Sequence, residues 1–289
     1  MRDEIDAGGT DEIGLTEANY AAFEEFFYRK TGISFDVSKR YFVRKRIARR
    51  MQATGHDRFR SYFSFMRLEP SQDEFQALVN EMTVNETYFF REEHQFRCLV
   101  DTILPEIASR RPNAPLTIWS MPCATGEEPY SIALYLLEHW KGLPDHDVTL
   151  LASDIDTSVL NAARNGYFSE RSLHYLPAAL RVRHFRPAKN GKHRINYDIR
   201  DVVEFAKVNL LSPPARFRQG DIDVVFCRNL LIYFDQQAQR RAVENIAEAL
   251  RPGGYVLLGH SESMSRISDL FAVRRFAEGI VYQKPHEDR

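Results

Sequence analysis

Residues 117–132 read TIWSMPCATGEEPYSI, and the reading of this stretch decides the fold. Its β-branched and aromatic start, Thr117, Ile118 and Trp119, predicts a strand. The small and turn-prone residues that follow, Ser120, Pro122, Cys123, Ala124, Thr125 and Gly126, predict a tight turn. A helix restarts with Glu127 and Glu128 in its first turn, and Pro129 comes early enough to be tolerated. In an open α/β sheet a ligand lies outside the carboxyl ends of the strands, beside such a turn, so this is the expected cradle. The turn has one glycine where a dinucleotide fingerprint has three, and its two carboxylates would repel a pyrophosphate. A cationic or polar ligand is compatible with them. An ordinary strand-to-helix connection with no ligand is the other reading of this stretch alone.

Downstream the chain alternates. The patterns predict a strand over 116–120, a helix over 127–140, a strand over 148–153, a helix over 157–165, a strand over 222–227, a helix over 236–250 and a strand over 255–259. Two last strands flank Ala277, Glu278 and Gly279 as a hairpin. Such alternation means a doubly wound, mostly parallel sheet covered on both faces and closed by an antiparallel edge. An insertion spans about 169–208. Its second half, HRINYDIRDVVEFAKV, alternates apolar and polar residues around Asp198 and Asp201 and is expected to form a small antiparallel appendage.

Upstream the pattern is helical. Thr16 is positioned as a cap before Tyr20, Phe23, Phe26 and Phe27, which recur at helical spacing until Gly32. A second helix begins near Ser38, and 59–68 and 71–83 read as two more amphipathic helices. Residues 15–85 thus form an all-helical amino-terminal domain, 86–115 a linker with a helix over 92–109, and 116–289 the sheet domain. Residues 1–14 are acidic with no apolar core and are expected to be a disordered tail rather than a signal peptide.

The chain has 289 residues, 44% of them hydrophobic, enough to bury a real core. Thirty-nine basic residues face 40 acidic ones, so contact with nucleic acid or a membrane surface would need a local patch. No run approaches the roughly 20 apolar residues of a membrane span. The three cysteines, Cys98, Cys123 and Cys227, lie far apart, which fits neither a disulfide framework nor a metal site and suggests a reducing cytoplasm. The nine histidines show no ligand spacing, and no metal is expected.

One local patch does stand out. The second helix, SKRYFVRKRIARRMQATG over 38–55, sets Val43, Ile47 and Met51 on one face and gathers Lys39, Lys45, Arg46, Arg49 and Arg50 roughly on the other. No acidic residue interrupts it before Asp57. So many unpaired like charges repel one another, which favours a contact surface for an acidic partner over a solvated face.

Polar residues also collect at the predicted strand ends. LLASDID ends a strand at Asp154, whose carboxylate suits the two hydroxyls of a ribose, while Asp156 or Thr157 caps the next helix and leaves Asp154 free. VNLL supplies Asn209 and Leu210, and DVVFCRNLLIYF supplies Arg228, Asn229 and Tyr233 just past an apolar strand.

Taken together, TVNETYFFRE, ATGEEPYSIA, ASDID, VNLL, FCRNLLIYF and GGYVLLGHSES, spread over 83–263, resemble the bacterial chemotaxis receptor methyltransferases, the CheR family of protein-glutamate O-methyltransferases. The resemblance implies transfer of a methyl group from S-adenosylmethionine to receptor glutamates, with S-adenosylhomocysteine as product. It implies a methyltransferase sheet with a small antiparallel β-subdomain behind an all-helical domain. It implies that Asn85, Thr87, Arg91, Glu128, Asp154, Asn209, Leu210, Arg228 and Asn229 line the cofactor site, and that Arg91 and Tyr233 sit where methyl transfer takes place.

On this reading Glu128 takes a polar group of the cofactor, while Glu127 compensates the helix terminus. Tyr88, Phe89 and Phe90 are either an adenine wall or core, and core is the commoner fate of such a cluster. Carboxyl methylation asks no acid–base work of His260 or Glu262. The basic face of Lys39, Lys45, Arg46, Arg49 and Arg50 would steer the glutamate-rich helical cytoplasmic domain of a chemoreceptor toward the cleft. In some family members the β-subdomain docks a pentapeptide at the receptor's carboxyl terminus. The turn RPAKNGKHR here is short and carries one glycine, Gly191, which argues against that tether. A nucleic-acid methyltransferase is the main rival, with the basic helix on phosphate; a cofactor-binding regulator without catalysis is a third reading.

Overall fold

Thr16 caps the first helix: its hydroxyl accepts the Asn19 amide at 3.3 Å, and the chain is helical over Glu17–Thr31 (α1) until Gly32, at φ 74°, ends it in the left-handed conformation. The structure, a computed structural model, describes residues 14–286, so the expected loose tail falls, apart from Gly14, outside the described residues. A turn of 3₁₀ helix over Val37–Lys39, capped by Asp36, leads into Arg40–Ala53 (α2), followed by Phe59–Leu68 (α3) and Asp73–Met82 (α4). Each helix buries one stripe: Tyr20, Phe23 and Phe27; Val43, Ile47 and Met51; Phe59, Tyr62 and Met66; Leu78, Val79 and Met82. Burying such side chains contributes about 1.5–3 kcal/mol each, which is what holds helices this short.

This helical unit runs to Val84 and takes in Tyr233–Asp235 from far along the chain. The Ser34 amide donates to the Tyr233 carbonyl at 3.2 Å, Phe234 bridges to Ile33, and the Tyr28 hydroxyl donates to Asp235 at 2.9 Å.

The second unit begins at Asn85. Its first helix is not continuous as expected: Glu93–Cys98 (α5) passes through a widened π turn, Leu99–Ile103, into Leu104–Arg110 (α6). Pro105 supplies the cause, since it lacks an N–H and crowds the carbonyl one turn back. Then follow Leu116–Ser120 (β1), Glu127–His139 (α7), Val148–Asp154 (β2), Thr157–Asn165 (α8), Tyr167–Phe168 (β3), Ala178–His184 (α9), Phe185–Pro187 (β4) and His193–Ile195 (β5). Tyr197–Asp201 (α10), Val203–Lys207 (β6), Ile222–Cys227 (β7), Gln236–Ala249 (α11), Leu250–Leu258 (β8), Ala272–Phe276 (β9) and Gly279–Gln283 (β10) complete the unit.

The main sheet runs β6-β2-β1-β7-β8-β10-β9, with β6 to β8 parallel and β10 and β9 antiparallel at the edge. Its centre is covered on both faces: every residue of β7 is buried, including Asp223, which accepts the Thr117 amide at 2.9 Å and pairs with Arg111. A second sheet, β3-β5-β4, is the small antiparallel one.

The expected appendage over 169–208 is corrected at its far end. Residues 203–207 are a strand, but it pairs in parallel with β2, from Leu150 opposite Val203 to Asp154 opposite Lys207, as an edge of the main sheet. Around Asp198 the chain is helical. The alternation was a genuine strand signal; which sheet it joins is a long-range pairing that alternation does not encode.

Candidate active site

Even register lines up the strand ends. Ser120 of β1 lies opposite Ala152 of β2 and opposite Phe226 of β7, so the residues just beyond, Met121 onward, Asp154 and Arg228, leave the sheet at one end. The connections after β1 and β7 depart to opposite sides, which makes this the switch point where a crevice opens. Gly126 turns the chain there at φ 98°, and a Cβ on it would come within 2.9 Å of the Tyr130 ring and 3.0 Å of the Ala163 Cβ.

Asp154 is 3% exposed and is not as free as expected. One carboxylate oxygen accepts the Ala124 amide at 2.9 Å and the other the Asp156 amide at 3.0 Å, so Asp154 holds the turn as well as facing the strand end. Burial pushes its carboxyl up to about 6, and those amides only partly offset the desolvation. Asp156 caps α8 through the amides of Ser158 and Val159 and also receives the Asn85 side-chain amide at 2.8 Å.

Arg228, 4% exposed, is the hub. It donates to Glu128 at 2.9 Å and to the Arg91 carbonyl at 2.6 Å, and lies 3.3 Å from Glu92. The other Glu128 oxygen accepts the Ser120 hydroxyl at 2.8 Å. Burial raises the Glu128 carboxyl despite Arg228 beside it. Glu92 is also pushed up by burial, but Arg228 and His260, the latter at 2.9 Å, outweigh that and hold it below the usual range. The Nε of Arg228 is buried and has no hydrogen-bond partner among the described residues.

Backbone strain concentrates beside this hub. Phe90 at φ 58° and Glu92 at φ 57° flank Arg91 in the left-handed region, and Asn229 (58°) and Ala124 (45°) adopt it on the neighbouring loops. The Arg91 side chain donates to the Glu86 carbonyl at 3.0 Å and lies 5.8 Å over the Tyr88 ring. Asn85, Thr87 and Tyr88 line a cleft of about 810 Å³ with Ser172, His174 and Tyr175. Asn209 holds its own loop through the Leu211 amide at 3.0 Å, and the Leu210 carbonyl accepts from Asn245 at 2.7 Å.

Comparison with known proteins gives this geometry a family. The model described as "CheR methyltransferase, SAM binding domain" matches residues 85–280, and "CheR methyltransferase, all-alpha domain" matches 18–83. Chemotaxis protein methyltransferase 2 of Vibrio cholerae is 48% identical over 96% of this chain and 97% of its own length. The chain belongs to the CheR methyltransferase family. Chemotaxis protein methyltransferase 2 of Pseudomonas aeruginosa is 40% identical over 91% of this chain and 92% of its own, and the Escherichia coli chemotaxis protein methyltransferase 34% over 92% and 91%.

As a CheR methyltransferase it is an enzyme that uses S-adenosylmethionine. The residues present suit that cofactor. Glu128 and Asp154 offer acceptors to ammonium and hydroxyl groups and favour a cationic sulfonium, and the orphaned Nε–H of Arg228 wants an acceptor such as a carboxylate.

Several side chains take places in this CheR methyltransferase that their sequence position did not reveal. Glu127, 4% exposed, does not face solvent at the helix terminus. It accepts the hydroxyls of Ser172 and Thr125 at 2.6 Å each, tying the insertion to α7. Phe89 and Phe90 are core: Phe89 meets Phe168 and Phe185 edge-on at 4.8 and 5.3 Å, and Phe90 packs on Tyr135 at 5.1 Å. Ser120, Glu92 and Ser172 were missed, and the signal for Glu92 was its place beside Arg91 in TVNETYFFRE. The premise of unpaired charges on α2 is also corrected. Arg49 pairs with Glu81 at 2.8 Å, Arg50 with Glu74 at 2.6 Å, and Lys39 with Asp36 at 3.8 Å. Arg46 lies 3.3 Å over the Phe42 ring, and Lys45 is exposed. Tyr233 packs in the helical unit, with the Lys39 ammonium 5.7 Å above its ring. Among the described residues no helix is long and apolar enough to cross a membrane.

Proposed function

We propose that this CheR methyltransferase methylates glutamate side chains in the helical cytoplasmic domain of chemoreceptors, giving glutamyl methyl esters in chemotaxis adaptation. The observation that carries the reading is the switch-point crevice, with Glu128, Asp154 and an unsatisfied Arg228 N–H at its mouth, in a chain alike end to end to chemotaxis protein methyltransferases. Asn85, Thr87, Arg91, Glu128, Asp154, Asn209, Leu210, Arg228 and Asn229 hold the cofactor. When bound, S-adenosylmethionine supplies an electrophilic methyl on a sulfonium, whose carbon–sulfur bond breaks toward sulfur as the carboxylate oxygen–carbon bond forms.

A glutamate, with an ordinary pKa of about 4.3, arrives ionised, so no side chain has to remove a proton. The protein's work is then orientation and exclusion of water, and positioning of this kind supplies about 7–11 kcal/mol of a barrier. Arg91 and Tyr233 act as donors that orient the carboxylate or the cofactor. Lys39, Lys45, Arg46, Arg49 and Arg50 bind the receptor helices. Exposure narrows that role to Lys45 and Arg49 foremost, the latter shared with Glu81. The short connection 188–192 favours a member that works without a carboxyl-terminal receptor tether.

The test is incubation with methyl-labelled S-adenosylmethionine and receptor-containing membranes. Label should enter the receptor and be released as methanol in mild base. Base-stable label, or label in added RNA, sinks the proposal.

A further inference from the structure

Glu262 follows β8 in the GHSES stretch and does no acid–base work in the reaction above, yet its carboxylate is heavily engaged by the loop after β7. One oxygen accepts the Asn229 amide at 2.7 Å and the Gly259 amide at 2.9 Å; the other accepts the Leu231 amide at 2.7 Å. The Ile232 amide is directed at it as well. A 3₁₀ turn over Leu231–Tyr233 begins here, and a helical start leaves its first N–H groups without partners. Glu262 satisfies them from the loop after β8.

The same contact fixes an unfavourable backbone. Asn229 sits at φ 58°, a conformation that asparagine tolerates but that the surroundings must enforce. Gly259 closes the enclosure: a Cβ there would lie 2.8 Å from the Asn229 side-chain nitrogen and 3.0 Å from the Glu262 carboxylate. Arg228 is gripped on its side-chain end by Glu128 and Glu92, and the loop amides that follow it are gripped by Glu262.

We propose that Glu262 is a positioning residue for cofactor binding: its carboxylate sets the backbone of Asn229 and Leu231, and thereby how Arg228 and Asn229 are presented at the switch-point crevice. This rests on the reading of that crevice as the S-adenosylmethionine site.

The experiment is calorimetric titration of S-adenosylhomocysteine into the wild type, Glu262→Gln and Gly259→Ala, with KM and kcat for S-adenosylmethionine and melting temperatures alongside. Glu262→Gln keeps the size but turns an amide NH₂ toward backbone N–H groups. Its dissociation constant should rise about tenfold, with a matching rise in KM for S-adenosylmethionine and an unchanged KM for receptor. Gly259→Ala, which intrudes on Asn229 and Glu262 together, should reproduce the loss, and it carries the test alone if Glu262→Gln does not fold. Dissociation constants within twofold of wild type, whatever the melting temperatures do, overturn the proposal by making Glu262 a structural residue only. Failure of the wild type to bind S-adenosylhomocysteine would instead overturn the crevice reading, and this proposal with it.

Discussion

Two arginine–glutamate centres among the described residues, one in each unit, are built differently. In the helical unit Glu74, 5% exposed, takes both Arg50 Nε at 3.1 Å and Arg50 Nη2 at 2.6 Å and accepts the Tyr62 hydroxyl at 2.8 Å. Both oxygens of that carboxylate are engaged, and α2 and α4 run through the centre as regular helix. At the sheet end Arg228 spans Glu128 and Glu92 but keeps an N–H unsatisfied, with Phe90, Glu92 and Asn229 in left-handed backbone around it. The same ionic chemistry thus sits in regular helix in one unit and beside strained backbone with an unmet N–H in the other, and under the proposed function only the second serves recognition.

The largest effect should come from Arg228→Ala. It strands the Glu128 and Glu92 carboxylates in a buried setting, which typically costs about 3–5 kcal/mol. S-Adenosylhomocysteine affinity should fall at least about a hundredfold, read by calorimetry beside a denaturant titration. A loss of stability with affinity intact would reduce the sheet-end centre to a second copy of the helical one. The converse substitution, Glu74→Ala, should cost about 3 kcal/mol of stability for the same reason and leave the cofactor dissociation constant of the folded protein unchanged. A cofactor effect there would erase the contrast from the other side.

A smaller effect should follow pH. The Asp154 carboxyl, ordinarily near 3.8, is raised to about 6 by burial. As pH drops through 6 the folded protein gains a proton there and loses acceptor capacity, so affinity for S-adenosylhomocysteine should weaken several-fold between about pH 7.5 and 5. The sign for stability is opposite. The folded state binds this proton more tightly than the unfolded one, so the group favours folding increasingly as pH falls from about 6 to about 4 and opposes it above. Asp154→Asn should flatten the affinity profile, and a profile unchanged by that substitution would assign the titration elsewhere. Smallest is Lys45→Glu with Arg49→Glu. These exposed changes should alter stability by no more than about 0.5 kcal/mol, yet raise the Michaelis constant for receptor about fivefold, with a salt dependence that disappears in the variant.

Local patterns made much of this legible. The strands at 116–120 and 222–227 and the helices at 59–68 and 157–165 lie where composition and periodicity predict them, because caps and apolar spacing are properties of short segments. What escaped is non-local. The partners of Arg49 and Arg50 stand on α4, and the acids matching Arg40 and Arg44 reduce to Glu17 on α1, so a helix that looks uniformly basic in sequence is largely neutralised in space. Val203–Lys207 was readable as a strand but not as a neighbour of β2. The left-handed Phe90 and Glu92 carry no turn-former signature, since their conformation is imposed by what grips them rather than by their own preference.

The three residues Tyr233–Asp235 bear on how the protein can be dissected. A fragment ending at Val84 would hold the four helices yet lack the strand partner of Ile33, the acceptor of the Ser34 amide and the carboxylate that receives the Tyr28 hydroxyl. The helical unit is discontinuous in sequence, and no single cut of the gene delivers it whole. A short peptide covering 231–236, added back in trans, is the complement such a fragment would need.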